Sequence, residues 1–144
     1  MRRAAVVLLV TCAAALPSRA AEGQALGPGD ARFDQVLTRL LSHGQRRIPN
    51  RPSCPTPRAG DTAARSVTVA EALAGAIRRE GEGAGALQLR LRCHPAGGSR
   101  RVDECRLLVS AVDGGDESSA GLSFETPRDS AAVVWPSVRC VLTP

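Results

Sequence analysis

Of the two histidines in this 144-residue chain, His43 and His94, only His94 is set among other groups able to do chemistry. Arg90, Arg92 and His94 recur at every second position, Arg100-Arg101 follow, and Glu104 and Arg106 repeat the two-residue spacing. An imidazole that titrates near neutrality beside a carboxylate is the start of an acid–base pair, and a line of guanidinium groups is a surface for an anion. The remaining parts of an enzyme site are not legible. Ser99 is the nearest hydroxyl, in a Gly-rich loop, and neither an oxyanion donor nor a pocket can be named. Gly97-Gly98-Ser99 lacks the Gly-Lys-Ser/Thr ending of a phosphate loop and joins two strands where such a loop would open a helix. With no Cys-x-x-Cys pair and two imidazoles in all, neither a metal nor a cofactor is expected.

The strand that must position these side chains is written in the alternation. In Leu87-Gln88-Leu89-Arg90-Leu91-Arg92-Cys93 the odd residues are apolar and the even ones polar, the period of a half-buried strand. A second strand begins at Cys105, after a Pro- and Gly-containing loop. Opposing Cys93 to Cys105 also opposes Leu91 to Leu107, Leu89 to Val109 and Leu87 to Ala111, and a slip of one residue would lose every match. In that register Arg90, Arg92 and Arg106 share the outward face, with His94 opposite Glu104 and Arg100-Arg101 at the loop tip. A polar outward face is also what any one-sided antiparallel sheet requires. The chain has no Lys and is rich in Ala, Gly, Arg and Pro, a GC-type codon bias that makes Arg partly a default.

Export is the expected fate of the chain. Arg2-Arg3, an apolar run over residues 4–16 and Pro17-Ser18-Arg19-Ala20 have the three parts of a secretory signal, assigned to residues 1–20. The apolar run falls short of the about 20 residues of a membrane-spanning helix, and no second one exists. Cys12 would leave with the signal, so Cys54, Cys93, Cys105 and Cys140 remain, an even number suited to two disulfides in an oxidising compartment. Cys93 and Cys105 end and begin adjacent strands, at the separation of about 5.5 Å between Cα atoms that a disulfide favours. Cys140, expected near the other end of the sheet, is left for Cys54 on its long arm. The formal charge of +5 drops to +2 once Arg2, Arg3 and Arg19 are removed, so total charge gives no argument for nucleic acid, and scarce aromatics disfavour base stacking. The distribution is lopsided, basic over residues 31–65 and acidic over 103–129.

Residues 21–29 read as a disordered leader. Asp30 is an N-cap, and Phe33, Val36, Leu37, Leu40 and Leu41 form one face of a first helix that Gly44 should stop. Residues 45–61 hold four Pro among several Arg and are expected to be an extended arm, neither helix nor strand. Thr68-Val69-Ala70-Glu71 is a capping box, opening a second helix with Val69, Leu73 and Ile77, flanked by Ala70 and Ala74, on its apolar face. After the hairpin, a turn at residues 113–116 leads to a third strand carrying Ala120, Leu122 and Phe124. A turn at 127–130 leads to a fourth strand, broken at Pro136, a residue of edges and bulges. Trp135 reads as a core or half-buried strand residue.

The expected fold is α+β: two helices packed on a four-stranded antiparallel meander, disulfide-stapled, with residues 30–144 as one domain. The expected function is that of an exported, secreted or periplasmic, non-catalytic binding or accessory domain. Its partner would be an anionic envelope component or another exported protein, a secreted hydrolase to be inhibited being one case. The alternative is a small exported hydrolase or nuclease using His94. Oligomeric state is not written in these residues.

Overall fold

The computed structural model describes residues 25–55, 66–113 and 118–143. The signal assigned to residues 1–20 and the middle of the turn at 113–116 lie outside the described residues. Helix α1 spans Ala31–Ser42, short strands β1 and β2 span Arg47–Pro49 and Ser66–Thr68, and helix α2 spans Val69–Gly81. Strands β3 (Leu87–Pro95), β4 (Val102–Ala111), β5 (Ser119–Pro127) and β6 (Val134–Thr143) follow, with a 3-10 turn at Ala96–Gly98. The four long strands make one antiparallel sheet in the order β3-β4-β5-β6. Both helices lie on one face of this meander, so the α+β architecture is the one that the periodicity implies.

The hairpin holds the register that buries the leucines: Leu91 opposes Leu107, Leu89 opposes Val109, and Cys93 opposes Cys105. Leu91, Cys105, Leu107, Leu122 and Phe124 are fully buried under Phe33, Val36 and Leu40 of α1 and Val69, Ala72 and Leu73 of α2. The Asp30 carboxylate accepts from the Arg32 and Phe33 N–H groups at 2.9 and 3.2 Å. The Thr68 hydroxyl accepts from the Glu71 N–H while Glu71 Oε2 accepts from the Thr68 N–H at 2.7 Å, so the box is complete.

Four local expectations are corrected. The arm at 45–61 contains a strand after all, because Ile48 pairs with Val67 across the β1–β2 ribbon and both are buried. The 21–29 stretch is placed from residue 25 on: Leu26 exchanges two 2.8 Å backbone hydrogen bonds with Leu91 on the outer edge of β3. Gly44 is not a left-handed stop, since its φ is not positive; a Cβ there would stand 3.1 Å from the Leu41 carbonyl oxygen and 3.4 Å from Ala70 Cβ, so the glycine permits close passage of α2. Helix α2 is rotated from its expected face. Ala72, Leu73 and Ala76 are buried and Ile77 is exposed, because two alanines let the helix axis approach β4 and β5 more closely than Ile77 would.

Both disulfides pair as expected, Cys93 with Cys105 and Cys54 with Cys140. Two parts of their geometry differ. The Leu26 bridge uses Leu91's backbone groups on the free edge, so Leu91–Leu107, and by alternation Cys93–Cys105, are non-hydrogen-bonded pairs, in which Cα atoms approach to about 4.5 Å; the observed Cα separation is 4.0 Å. Cys140 opposes Leu122, in the same row as Leu107 and Leu91. It is therefore separated from Cys93 and Cys105 chiefly across the sheet, three and two strands away, and by only two residues along it. The Ser53 hydroxyl donates to the Cys140 carbonyl oxygen at 3.1 Å, and the arm closes on α2 at Gly75, where a Cβ would fall 2.0 Å from the Pro55 carbonyl oxygen.

Strand β6 lies on the outer edge, where Pro136 needs no ladder partner. Its pairing jumps from Arg139 opposite Ser123 to Val134 opposite Glu125. The extra residues form a bulge that resets the alternation, so that Trp135 and Val138, three apart, both face the helices. Ser137 closes the break, accepting from the Glu125 N–H at 2.7 Å and donating to the Val134 carbonyl oxygen at 2.6 Å.

Candidate functional site

The sheet face opposite the helices is where the alternation sends the candidate residues, and the strand registers order them into rows. His94, Glu104 and Glu125 form the first row, Arg92, Arg106, Ser123 and Arg139 the second. Arg90, Leu108, Gly121 and Val141 form the third, and Gln88, Ser110, Ser119 and Thr143 the fourth. Arg90, Arg92 and Arg106 are thus brought together with His94, as the hairpin alone implies. Arg139, Glu104 and Ser123 complete the arrangement, two of them from strands that the hairpin does not contain.

No helix covers this face, yet Gly121 and Ser123 in its middle strand are buried. Their neighbours on β4 and β6 are longer and overhang them. Gly121 is required: a Cβ would fall 1.9 Å from the Leu107 carbonyl oxygen, so the two strand backbones meet where only glycine fits. The result is a sheet surface with a low middle strand and basic walls.

Glu104 is the hub between the first two rows. Its Oε1 accepts from the Ser123 hydroxyl at 3.2 Å and from Arg139 Nη2 at 3.3 Å, with Arg106 Nη2 at 3.6 Å, and its Oε2 lies 3.8 Å from His94 Nε2. Burial pushes the Glu104 carboxyl up, but the Ser123 hydrogen bond and the charges of Arg106, Arg139 and His94 outweigh it and hold it below the usual range. Glu104 is therefore a fixed negative charge that organises the guanidinium groups. His94 lies beyond hydrogen-bond distance of it, and the hydroxyl nearest the pair is Ser123, which donates to Glu104 Oε1. The nearest sequence hydroxyl, Ser99, accepts from the Arg101 and Val102 N–H groups at 3.2 Å and so belongs to its own turn.

Beyond the second row the face dips into a pocket of about 120 Å³, with Arg90, Arg92 and Arg106 on one side and Leu108, Ser110 and the hydrogen-bonded Ser119–Thr143 pair on the other. Arg100 and Arg101 are exposed on the hairpin loop beyond the opposite, His94 end. The described part of the arm, residues 45–55, is not part of this surface. Cys54 ties it to Cys140 on the helix-bearing face, and Arg46 stacks on Trp135, 4.9 Å from the ring centroid, beside His43 at 5.0 Å. Trp135 is half-buried in that stack.

A second charged group escapes sequence reasoning. Asp103 is buried at the inward end of β4, where Arg32 of α1 donates to Oδ2 at 3.0 Å and Arg128 Nε donates to Oδ1 at 2.9 Å. Burial raises its carboxyl pKa, and the hydrogen bonds and charges of Arg32 and Arg128 more than reverse this, holding it below the ordinary value. The signal was present in the register, since Asp103 shares parity with Cys105 and Leu107 and must point inward. Its partners come from a helix and a turn, which no register specifies.

Among the described residues no three His, Cys, Asp or Glu side chains group so as to hold a metal, and all four described cysteines are in disulfides. No described helix is long and apolar enough to cross a membrane. Comparison with protein-family models, curated proteins and solved structures finds no match for this chain.

Proposed function

We propose that this protein is an exported, non-catalytic binding domain whose helix-free sheet face contacts an anionic component of the cell envelope. The observation that carries the reading is the second row, in which Arg92, Arg106 and Arg139 cross the sheet on three strands. With Arg90 they place four guanidinium groups on this face, a basic surface of the kind that attracts an extended polyanion. Two disulfides support export. The mature chain is expected to begin at Ala21, read by N-terminal sequencing of the exported fraction; a product that retains Met1 would refute the cleavage.

Retention on beads bearing an anionic polymer tests the contact itself. The full-length mature protein should be held at low salt and released near 1 M salt, where the Debye length is about 3 Å, and the Arg92→Glu/Arg139→Glu variant should not be held. Retention that ignores salt, or survives the charge reversal, would overturn the reading. Retention only on an acidic exported protein would make that protein the partner. A hydrolase or nuclease activity abolished by His94→Ala would establish the enzymatic alternative.

A further inference from the structure

We infer that the loop between β3 and β4 is a rigid, substrate-like inhibitory loop for a serine endopeptidase that cleaves after arginine, with Arg100 as the residue that enters the specificity pocket. The inference goes beyond the sheet-face reading and does not depend on it, since it stands on the hairpin loop alone.

Three observations lead to it. The first is presentation. Gly97 and Gly98, at φ 50° and 79°, turn the chain sharply, and Ser99 leaves the turn extended at φ −61° and ψ 137°. Arg100 and Arg101 follow, both exposed. Among the described residues neither guanidinium has a partner, and the Arg100 N–H and carbonyl are likewise unpaired. Free main-chain groups are what the extended groove of such an enzyme pairs with, and a guanidinium is what the carboxylate at the base of its S1 pocket holds. The second is restraint on both sides of one residue. Arg128 straddles Arg100: its Nη2 donates to the Ser99 carbonyl oxygen at 3.2 Å, and its backbone N–H donates to the Arg101 carbonyl oxygen at 2.9 Å. Arg128 is itself anchored, because its Nε donates to the buried Asp103 carboxylate. The Ser99 hydroxyl accepts from the Arg101 N–H, the nitrogen that would leave if the Arg100–Arg101 bond were cut. The third is closure. Cys93–Cys105 ties the two strands at the base of the loop, and Cys54–Cys140 also spans that bond, so both disulfides join the halves on either side of it.

Such restraint turns a substrate into an inhibitor. The enzyme's serine hydroxyl attacks the Arg100 carbonyl carbon, the bond to the Arg101 nitrogen breaks, and the enzyme's histidine passes the serine proton to the departing amine. In an ordinary substrate the amine diffuses away and water hydrolyses the ester. Here Ser99 and Arg128 hold the amine segment beside the ester, so the amine attacks the ester carbon, returns its proton to the histidine and re-forms the peptide bond before water enters. A loop already fixed in shape also loses little further entropy on binding. Arg101 is excluded as the entering residue, because its carbonyl oxygen is bonded to the Arg128 N–H and is not free to turn into an oxyanion hole.

The test is inhibition of trypsin by the oxidised mature protein, read with a small chromogenic arginine substrate. Competitive inhibition with a Ki on the order of 1 μM or tighter is expected, persisting over hours, with the chain cut only at the Arg100–Arg101 bond and only in part. Arg100→Ala should weaken it by roughly a hundredfold or more. Arg100→Leu should lose inhibition of trypsin and gain inhibition of chymotrypsin, a change of specificity that a misfolded variant would not show. Ser99→Ala keeps Arg100 but loosens the amine, and should give inhibition that fades as the chain is cut. Trypsin in molar excess leaves unbound enzyme, the condition under which cleavage elsewhere in the chain is read. No inhibition, inhibition that survives Arg100→Ala, or complete cleavage of the wild type with loss of inhibition would overturn the inference. Cleavage after Arg101 in place of Arg100 would overturn the assignment of the entering residue.

Discussion

Asp103 is a single carboxylate on which two distant parts of the chain converge. Only 5% exposed, it joins Arg32 at the start of α1 to Arg128 in the β5–β6 turn. Removing one member of a fully buried pair costs roughly 3–5 kcal/mol; Arg32 and Arg128 remain partly hydrated, so Asp103→Asn is expected to cost about 2–3 kcal/mol, read from urea midpoints. The pH dependence has a definite sign. Because the folded carboxyl titrates below its ordinary value of 3.8, its stabilisation is present above that pH and is lost as pH falls through the lowered folded value. Wild-type stability should therefore fall more steeply than that of Asp103→Asn below about pH 4. Gly121 is the other residue on which much turns. Gly121→Ala places a methyl group against the Leu107 carbonyl oxygen, backbone against backbone, and should cost about 3 kcal/mol or more, the upper end for overpacking.

Among the elements, the arm depends most on a single bond. Cys54–Cys140 closes 86 residues and Cys93–Cys105 closes 12, so the chain-entropy model gives about 4–5 kcal/mol for the first and about 2–3 for the second. Replacing Cys54 and Cys140 by Ser should lower stability more than replacing Cys93 and Cys105, as measured by urea unfolding of each double variant. The hairpin variant keeps its leucine register, whereas the arm variant loses the bond that holds Cys54 in the core. Brief trypsin treatment should then cut at Arg46 or Arg47 in the arm variant well before it cuts the wild type. Equal cleavage rates would mean that the β1–β2 ribbon and the Pro55–Gly75 contact hold the arm by themselves.

At the scale of the whole molecule the two faces of the sheet differ in what they carry. One face carries the core, both helices and the described part of the arm; the other carries the Arg rows. Exposed ion pairs such as Arg139–Glu104 are worth about 0–1 kcal/mol. Charge reversal by Arg92→Glu/Arg139→Glu is thus expected to leave the unfolding midpoint within about 1 kcal/mol of wild type while moving retention from anionic to cationic beads. A large loss of stability in that variant would show that the face is structural and would remove the basis for binding.

Much of this arrangement is legible in the residues. Odd–even alternation set the β3–β4 register, and the register set the Cys93–Cys105 pair and the shared face of Arg90, Arg92, His94 and Arg106, because strand side chains alternate whatever packs on them. Asp30 and the Thr68–Glu71 box marked both helix starts, since a cap is a contact within three residues. Tertiary structure alone determined the rotation of α2 toward Ala72 and Ala76, the ribbon joining Ile48 to Val67, and the pairing of Asp103 with Arg32 and Arg128. It also carried Arg139 into the Arg92–Arg106 row, and placed Cys140, on edge strand β6, under the arm. These last features depend on how closely elements far apart in the chain approach one another. That distance is set by packing many side chains at once, and no periodicity within one segment contains it.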